Sequence, residues 1–314
     1  MSDVILADPM PELFAELSQG RFDVRPLESA TDADCAAAVA IVAYSHPVVD
    51  GPLLDRCSKV KIVSNHGVGV DHIDVAAARQ RSVLVGNTPG CLDAATADMT
   101  LALMLSVARN IVIGDRFARS SEFTHYDPSI LIGQEVTGST LGIVGMGRIG
   151  VEVARRARAF HMKILYHNRN RRPDIEDSFG VQFASLNDLL GESDFVTLNC
   201  PLTEQTHGLI GPAEFQQMKR SGILVNMARG PVVQTDALYE ALTTNQIAAA
   251  GLDVTDPEPL PRDHPLLQLG NVIIAPHLGS ASNVTRRRMM QITVDNMIAA
   301  LDGSPLPHEV RPAG

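Results

Sequence analysis

Residues 141–150 read Leu-Gly-Ile-Val-Gly-Met-Gly-Arg-Ile-Gly. An apolar run enters a G-x-G-x-x-G turn and leaves it into the helical pattern of 151–160. That order constrains the chain to a strand–turn–helix unit. Gly145 suits the tight turn, Gly147 lets backbone approach a pyrophosphate, and Gly150 permits close helix–strand packing. The turn residues Met146, Arg148 and Ile149 lie in the same cofactor-binding stretch. The pyrophosphate would sit at the helix N-terminus, where N–H groups and the helix dipole attract anions.

The remainder of the chain supports a βαβ reading. Short apolar runs at 4–6, 38–42, 60–64 and 83–85 alternate with helical patterns. A long amphipathic segment follows from Asp93 to about Arg119. The strand pattern restarts at 140–144, 163–166, 195–198, 222–226, 248–252 and 272–275. This alternation predicts an α/β fold with parallel sheets covered by helices on both faces. The second series carries the glycine turn and reads as a complete Rossmann-type, doubly wound dinucleotide domain; the first reads as a smaller α/β domain. At ~150 residues per domain, the 314-residue length agrees with two. The helical stretch from Asn283 to about Leu301 would cap the second domain or cross back to the first. The irregular stretch 120–139 suits a surface or interface loop.

Composition narrows the partners. The formal charge of −10 leaves no basic surplus for a general polyanion binder. With no Trp and 4% aromatics, stacking platforms for single-stranded nucleic acid are not expected. No run of 18 apolar residues or basic leader is visible, so neither a membrane span nor a signal peptide is expected. Cys35, Cys57, Cys91 and Cys200 are scattered without metal-ligand spacing, which points to reduced thiols, no metal and a cytoplasmic chain.

An acidic residue about 20 positions beyond the glycine turn would bind an NAD ribose. Here the strand leads instead into His167-Asn168-Arg169-Asn170-Arg171-Arg172, with no acid before Asp174. Arg169, with Arg171 or Arg172, would pair with a 2′-phosphate. Asn168 would still hydrogen-bond the ribose. NADP(H) is therefore the preferred cofactor and NAD(H) the alternative; a solvated basic loop tolerating both is the plain counter-reading.

Three later segments each begin at the C-terminal end of a predicted strand: 225–230 with Arg229, 251–259 with Asp253 and Glu258, and 275–280 with His277. Open α/β sheets bind ligands at that edge. An Arg, a carboxylate and a His delivered there form an acid–base and anion-clamping set.

Together with Gly67-Val68-Gly69-Val70-Asp71-His72-Ile73-Asp74, Asn87-Thr88-Pro89-Gly90 and Cys200-Pro201-Leu202-Thr203, these segments resemble the D-isomer-specific 2-hydroxyacid dehydrogenase family. The likeness covers nearly the whole chain. The stretch 163–169 looks most like the glyoxylate/hydroxypyruvate reductase branch. The resemblance implies a flavodoxin-like substrate domain, discontinuous over 1–98 and 288–314, beside a dinucleotide domain over 99–287. It implies His277 as proton donor, Glu258 as its partner, and Arg229 as the clamp on the substrate carboxylate. Backbone amides of Val68 and Gly69 would bind the same carboxylate, with Gly279 and Ser280 also at the substrate. Asp253 would contact the nicotinamide side, and Pro201, Thr206 and Met227 would line the cofactor cleft. His66 abuts the 67–69 turn and would face the pocket or, more simply, sit in the core. Cys200 reads as packing, and Arg286–Arg288 as a solvated helix face.

The implied reaction is NADPH-dependent reduction of glyoxylate or hydroxypyruvate to the D-2-hydroxy acid by a homodimer. The long helix from about Ala94 and the loop after it would form the dimer interface. Glu258 disfavours formate dehydrogenase, which pairs its His with Gln. Reductases of this branch often place a Trp in the loop before the glycine turn; Ile130 or Leu131 stands in that region here. A larger 2-keto acid such as a phenylpyruvate is therefore the alternative substrate. The other class is a dinucleotide-sensing binding protein like the C-terminal-binding protein corepressors.

Overall fold

The computed structural model describes residues 2–311. Met1 and residues 312–314, parts of the expected first domain, lie outside the described residues. Two compact units divide the chain. The first combines Met1–Leu92 with Ser282–Gly314, and the second is Asp93–Ala281. These junctions differ from the expected 98/99 and 287/288. Each coincides with a helix start, at Asp93 and at the N-cap Ser282, so each helix stays whole in one unit.

In the first unit five parallel strands, β1 (Asp3–Ala7), β2 (Phe22–Pro26), β3 (Ala40–Ala43), β4 (Ile62–Asn65) and β5 (Leu84–Gly86), take the order β2-β1-β3-β4-β5. This is the flavodoxin-like order. Because side chains alternate between faces, Ile5 and Ala7 enter one core layer and Leu6 the other. Ala40 and Val42 likewise separate from Ile41 and Ala43. The helix Asn283–Leu301 packs on β4, β5 and the helix Glu12–Leu17. Its Met290, Val294 and Met297 are buried against Ile5 and Ile62 in one cluster.

The second unit has seven parallel strands: β6 (Thr140–Val144), β7 (Lys163–His167), β8 (Gln182–Phe183), β9 (Phe195–Leu198), β10 (Ile223–Asn226), β11 (Ala249–Leu252) and β12 (Val272–Ile274). Their order, β12-β11-β10-β9-β6-β7-β8, is doubly wound. The chain runs outward from β6 through β7 and β8, then resumes on the other side at β9. That reversal opens the ligand crevice beyond the carboxyl ends of β6 and β9.

Two strands, β2 and β8, are additional to the expected set. The expected continuous helix from Asp93 is two helices, Asp93–Ala108 and Ile111–Ala118, broken where Asn110 takes a left-handed φ of 54°. The first lies deep in the second unit, with Ala97, Leu101, Met104 and Ala108 buried. No single helix among the described residues is long and apolar enough to cross a membrane, and this pair bends by 59°.

Candidate active site

The glycine turn lies at the topological switch point, and its three glycines meet different surroundings. Gly145 has φ +102°, and a Cβ there would lie 2.5 Å from the backbone nitrogen of Cys200. A Cβ on Gly150 would lie 2.2 Å from the Gly145 carbonyl oxygen. Both positions must be glycine for the turn, the helix Arg148–Ala157 and the end of β9 to close together. Gly147 differs, because a Cβ there would meet nothing within 4 Å. It caps the helix with no side-chain bond to the first-turn N–H groups. An open cradle at an uncapped helix N-terminus fits the pyrophosphate of a dinucleotide.

The Asn168 Oδ1 accepts the Met146 N–H at 2.7 Å, tying the end of β7 to the glycine turn. That oxygen is therefore engaged within the chain, which leaves the Asn168 amide N–H groups for a ribose. The basic cluster is divided. Arg171 makes a fork to Glu176 at 2.8 and 2.6 Å, and Arg172 one to Asp174 at 2.9 and 2.8 Å. The Glu176 carboxyl, held by Arg171 and the Tyr166 hydroxyl, is lowered to about 2. Exposed Arg169 makes no ion pair among the described residues. Of the three arginines expected to meet a 2′-phosphate, two are thus matched by acids a few positions on.

On the far side of the cleft, the exposed Pro201 offers its carbonyl to the Thr206 hydroxyl at 2.6 Å. Thr206 Oγ1 also accepts the Thr203 N–H at 2.8 Å. Thr206, expected to line the cofactor cleft, thus also closes its own turn. Burial pushes the Cys200 thiol up to about 11, in keeping with a packing role.

Arg229, Asp253, Glu258 and His277 follow β10, β11 and β12, neighbouring strands of one sheet. His277 Nδ1 lies 2.8 Å from Glu258 Oε1. Both groups are partly exposed, at 30% and 39%. Pro257 and Pro259 flank Glu258 and restrict its loop. Arg229 is half-buried, and its Nη1 donates to the Ala228 carbonyl at 3.0 Å. Asn226 organises that turn. Its Oδ1 accepts the Ala228 N–H and its Nδ2 donates to the Arg229 carbonyl, both at 3.0 Å.

Asp253 carries a set of bonds within the chain. It is buried, and its backbone oxygen accepts the His277 N–H at 2.9 Å. Its carboxylate accepts the N–H groups of Leu278 at 2.6 Å and Gly279 at 2.8 Å. Three consecutive amides therefore converge on one residue. They fix His277 at φ 54°, a left-handed conformation that costs a non-glycine residue ~1–2 kcal/mol. Burial pushes the Asp253 carboxyl up, and the two amides partly oppose that. Through these three bonds Asp253 holds the histidine loop. Gly279 is buried with its N–H committed, and a Cβ there would lie 3.0 Å from Asp253 Oδ2 and 3.4 Å from Met227 Cε. Its amide is thus closed to substrate. Met227 is buried at the same spot, and Ser280 is half-buried beside it.

In the first unit, the turn after β4 has its carbonyls tied down. Asn65 Nδ2 donates to the Gly67 and Gly69 carbonyls at 3.0 and 2.8 Å, and Asn87 Nδ2 donates to that of Val68 at 2.9 Å. Val68 is 36% exposed. The N–H groups of Val68 and Gly69 make no backbone bond among the described residues. His66 is a core histidine. It is 4% exposed, its Nδ1 lies 3.2 Å from Thr293 Oγ1, and burial lowers it to about 4.

Asn65 and Asn226 were not singled out from sequence. Both close an apolar strand and fold back onto the turn that follows. An asparagine ending such a run, just ahead of a site motif, is the signal that would have found them.

A family profile described as "D-isomer specific 2-hydroxyacid dehydrogenase, NAD binding domain" matches residues 101–279. The chain belongs to the D-isomer specific 2-hydroxyacid dehydrogenase family. It falls in the glyoxylate/hydroxypyruvate reductase-like branch and is an NAD(P)-dependent oxidoreductase. A glyoxylate reductase of Korarchaeum cryptofilum is 46% identical over 289 residues, covering 90% of this chain and 86% of the relative. Glyoxylate/hydroxypyruvate reductase B of an Enterobacter species is 42% identical over 316 residues, 98% of each chain. The crystal structure of an NADPH-dependent glyoxylate/hydroxypyruvate reductase from Sinorhizobium meliloti, in complex with NADP and malonate, superposes over all of both chains at TM-score 0.90 and 30% identity. A nicotinamide dinucleotide is the cofactor class of this family member, and the cradle at Gly147 fits it.

Proposed function

We propose that this chain reduces a small 2-keto acid, glyoxylate or hydroxypyruvate, to the D-2-hydroxy acid with NADPH. The observation that carries the reading is the 2.8 Å contact between His277 Nδ1 and Glu258 Oε1 at the strand edge that also bears Arg229. A bound reduced nicotinamide supplies hydride to the substrate carbonyl carbon. His277 gives its proton to the carbonyl oxygen, and Glu258 holds the ring in place and favours its charged form. Arg229 takes the substrate carboxylate in a planar fork that Lys cannot reproduce. The turn of the first unit contributes the Val68 and Gly69 N–H groups, and Ser280 borders the substrate.

Gly147, Arg148 and Ile149 present the open helix N-terminus to the pyrophosphate, in a turn shaped by Gly145, Met146 and Gly150, with Pro201 and Met227 along the cleft. Arg169 is the arginine that meets a 2′-phosphate, which favours NADP(H) over NAD(H). The first unit is the substrate domain and the second the dinucleotide domain. The chain works as a cytoplasmic homodimer. Exposed Phe123, Tyr126 and Ile132 on the 120–139 stretch support an interface there.

One experiment tests this reading. NADPH and NADH are each mixed with glyoxylate, hydroxypyruvate, pyruvate and phenylpyruvate, and loss of reduced cofactor is followed by absorbance. Turnover of glyoxylate and hydroxypyruvate with a higher kcat/KM for NADPH is expected. Equal kcat/KM for both cofactors would remove the NADP preference. Dinucleotide binding without turnover of any keto acid would favour a sensing module. A larger substrate is the second reading, favoured by Ile130 and Leu131, exposed at 41% and 40% in the Trp-less loop. A preference for phenylpyruvate would support it.

A further inference from the structure

We infer that Asn65, held by His72, is a positioning residue that turns the 67–69 loop into an amide donor for the substrate carboxylate. This rests on the keto-acid reading above. The loop follows β4, whose last residue is Asn65, fully buried at 0% exposure. Its Nδ2 donates to two carbonyls, those of Gly67 and Gly69. A peptide carbonyl drawn inward sends the N–H of the following residue outward, because the two lie on opposite sides of a trans peptide plane. Drawing in the Gly67 carbonyl thus directs the Val68 N–H away from Asn65. Asn87, bonded to the Val68 carbonyl, does the same for the Gly69 N–H. One turn therefore presents two successive N–H groups of the kind that bind anions.

The amide of Asn65 has one orientation consistent with these bonds. Nδ2 must face the two carbonyls, so Oδ1 faces His72 Nε2 at 3.1 Å. Oδ1 can only accept, which places the proton of that bond on Nε2 of His72. The His72 ring is set by an edge contact with His46, with centroids 4.9 Å apart. The order of support runs His46, His72, Asn65, then the two carbonyls. Val68 and Gly69 touch the substrate, whereas Asn65 and His72 act through the Val68 N–H and Asn87 through that of Gly69.

Asn65→Ala, His72→Ala and His72→Gln are compared with the wild-type full chain. Readouts are KM and kcat for glyoxylate, calorimetric affinity for oxamate (an unreactive carboxylate analogue), and calorimetric affinity for NADPH. Asn65→Ala should raise KM and weaken oxamate together by about 10-fold or more, with NADPH affinity within twofold of wild type. His72→Ala should move the same two quantities in the same direction by less. His72→Gln, whose side-chain amide also donates, should restore them towards wild type. A merely structural role would shift NADPH affinity in parallel or leave the Gln and Ala variants alike. Either result overturns the inference, as do unchanged KM and oxamate affinity in Asn65→Ala. If Asn65→Ala does not fold, the His72 pair decides by the same criteria. An active wild type with unaffected variants sinks this inference alone. A wild type that neither turns over a keto acid nor binds oxamate sinks the proposed function as well.

Discussion

Asp253 accepts the backbone N–H of His277 at 2.9 Å and holds the next two amides with its carboxylate. His277 and the two residues after it are therefore held by one buried side chain and its own backbone. Asp253→Asn keeps one acceptor oxygen but sets an NH2 group against the second amide. An unsatisfied buried donor costs ~1–3 kcal/mol. We expect a lower melting temperature and a kcat reduced at least about 10-fold. Denaturation and steady-state kinetics measured on the same preparation check this, and an unchanged kcat would deny Asp253 its positioning role.

The His277–Glu258 pair makes a separate expectation. His277→Ala should lower kcat by on the order of 100-fold or more, the usual contribution of a positioned acid. Glu258→Gln retains the shape of the partner but not its charge, so a smaller loss of about 10-fold is expected. Single-turnover rates distinguish a chemical effect from slow product release. Near-normal rates for His277→Ala would reject it as the proton donor.

Cofactor choice should depend on one arginine more than on the cluster. Arg169→Ala should raise KM for NADPH by about 10-fold while leaving NADH little changed, the scale of one charge-assisted contact. Arg171→Ala should do less, because its guanidinium is forked onto Glu176 at 2.8 and 2.6 Å. Parallel titrations with both cofactors measure this. Equal effects of the two substitutions would overturn the assignment.

His66 predicts an acid limit on stability. Burial lowers it from the ordinary 6.5 to about 4, with Arg286 and His46 adding repulsion. The unfolded chain takes up a proton below about pH 6.5 that the folded chain refuses until about pH 4. The associated stability is complete above 6.5 and falls by about 3 kcal/mol as pH drops through that window. Melting temperatures between pH 7.5 and 4.5 should fall more steeply for wild type than for His66→Gln. Parallel curves would show that His66 does not set the slope.

The glycine turn and the central strands were legible in the sequence because their chemistry is local. A buried strand flanked by helices is apolar throughout, and the turn needs its glycines wherever it occurs. Strands β2 and β8 were not legible. The first alternates Asp23 and Arg25 with Phe22 and Val24 and ends on Pro26, and the second is two exposed residues. Both lie at sheet edges, where pairing is decided by the neighbour strand. In the site, Arg229, Glu258 and His277 stood out because each follows a strand at the ligand edge. The work of Asp253 was hidden. A carboxylate at a strand end looks the same in sequence whether its oxygens face a ligand or two amides of a distant loop. The pairing of Arg171 with Glu176 was hidden for a like reason, since only the loop path brings them together.

Gly147 separates two selection pressures that act on one short segment. Positions 145 and 150 are closed to any side chain by backbone atoms, so a library screened only for soluble expression should return glycine at both. Position 147 faces open space. The same screen should return a mixture there, and glycine should dominate only once survival requires a bound dinucleotide. The difference between the two screens would map, residue by residue, where folding ends and ligand recognition begins.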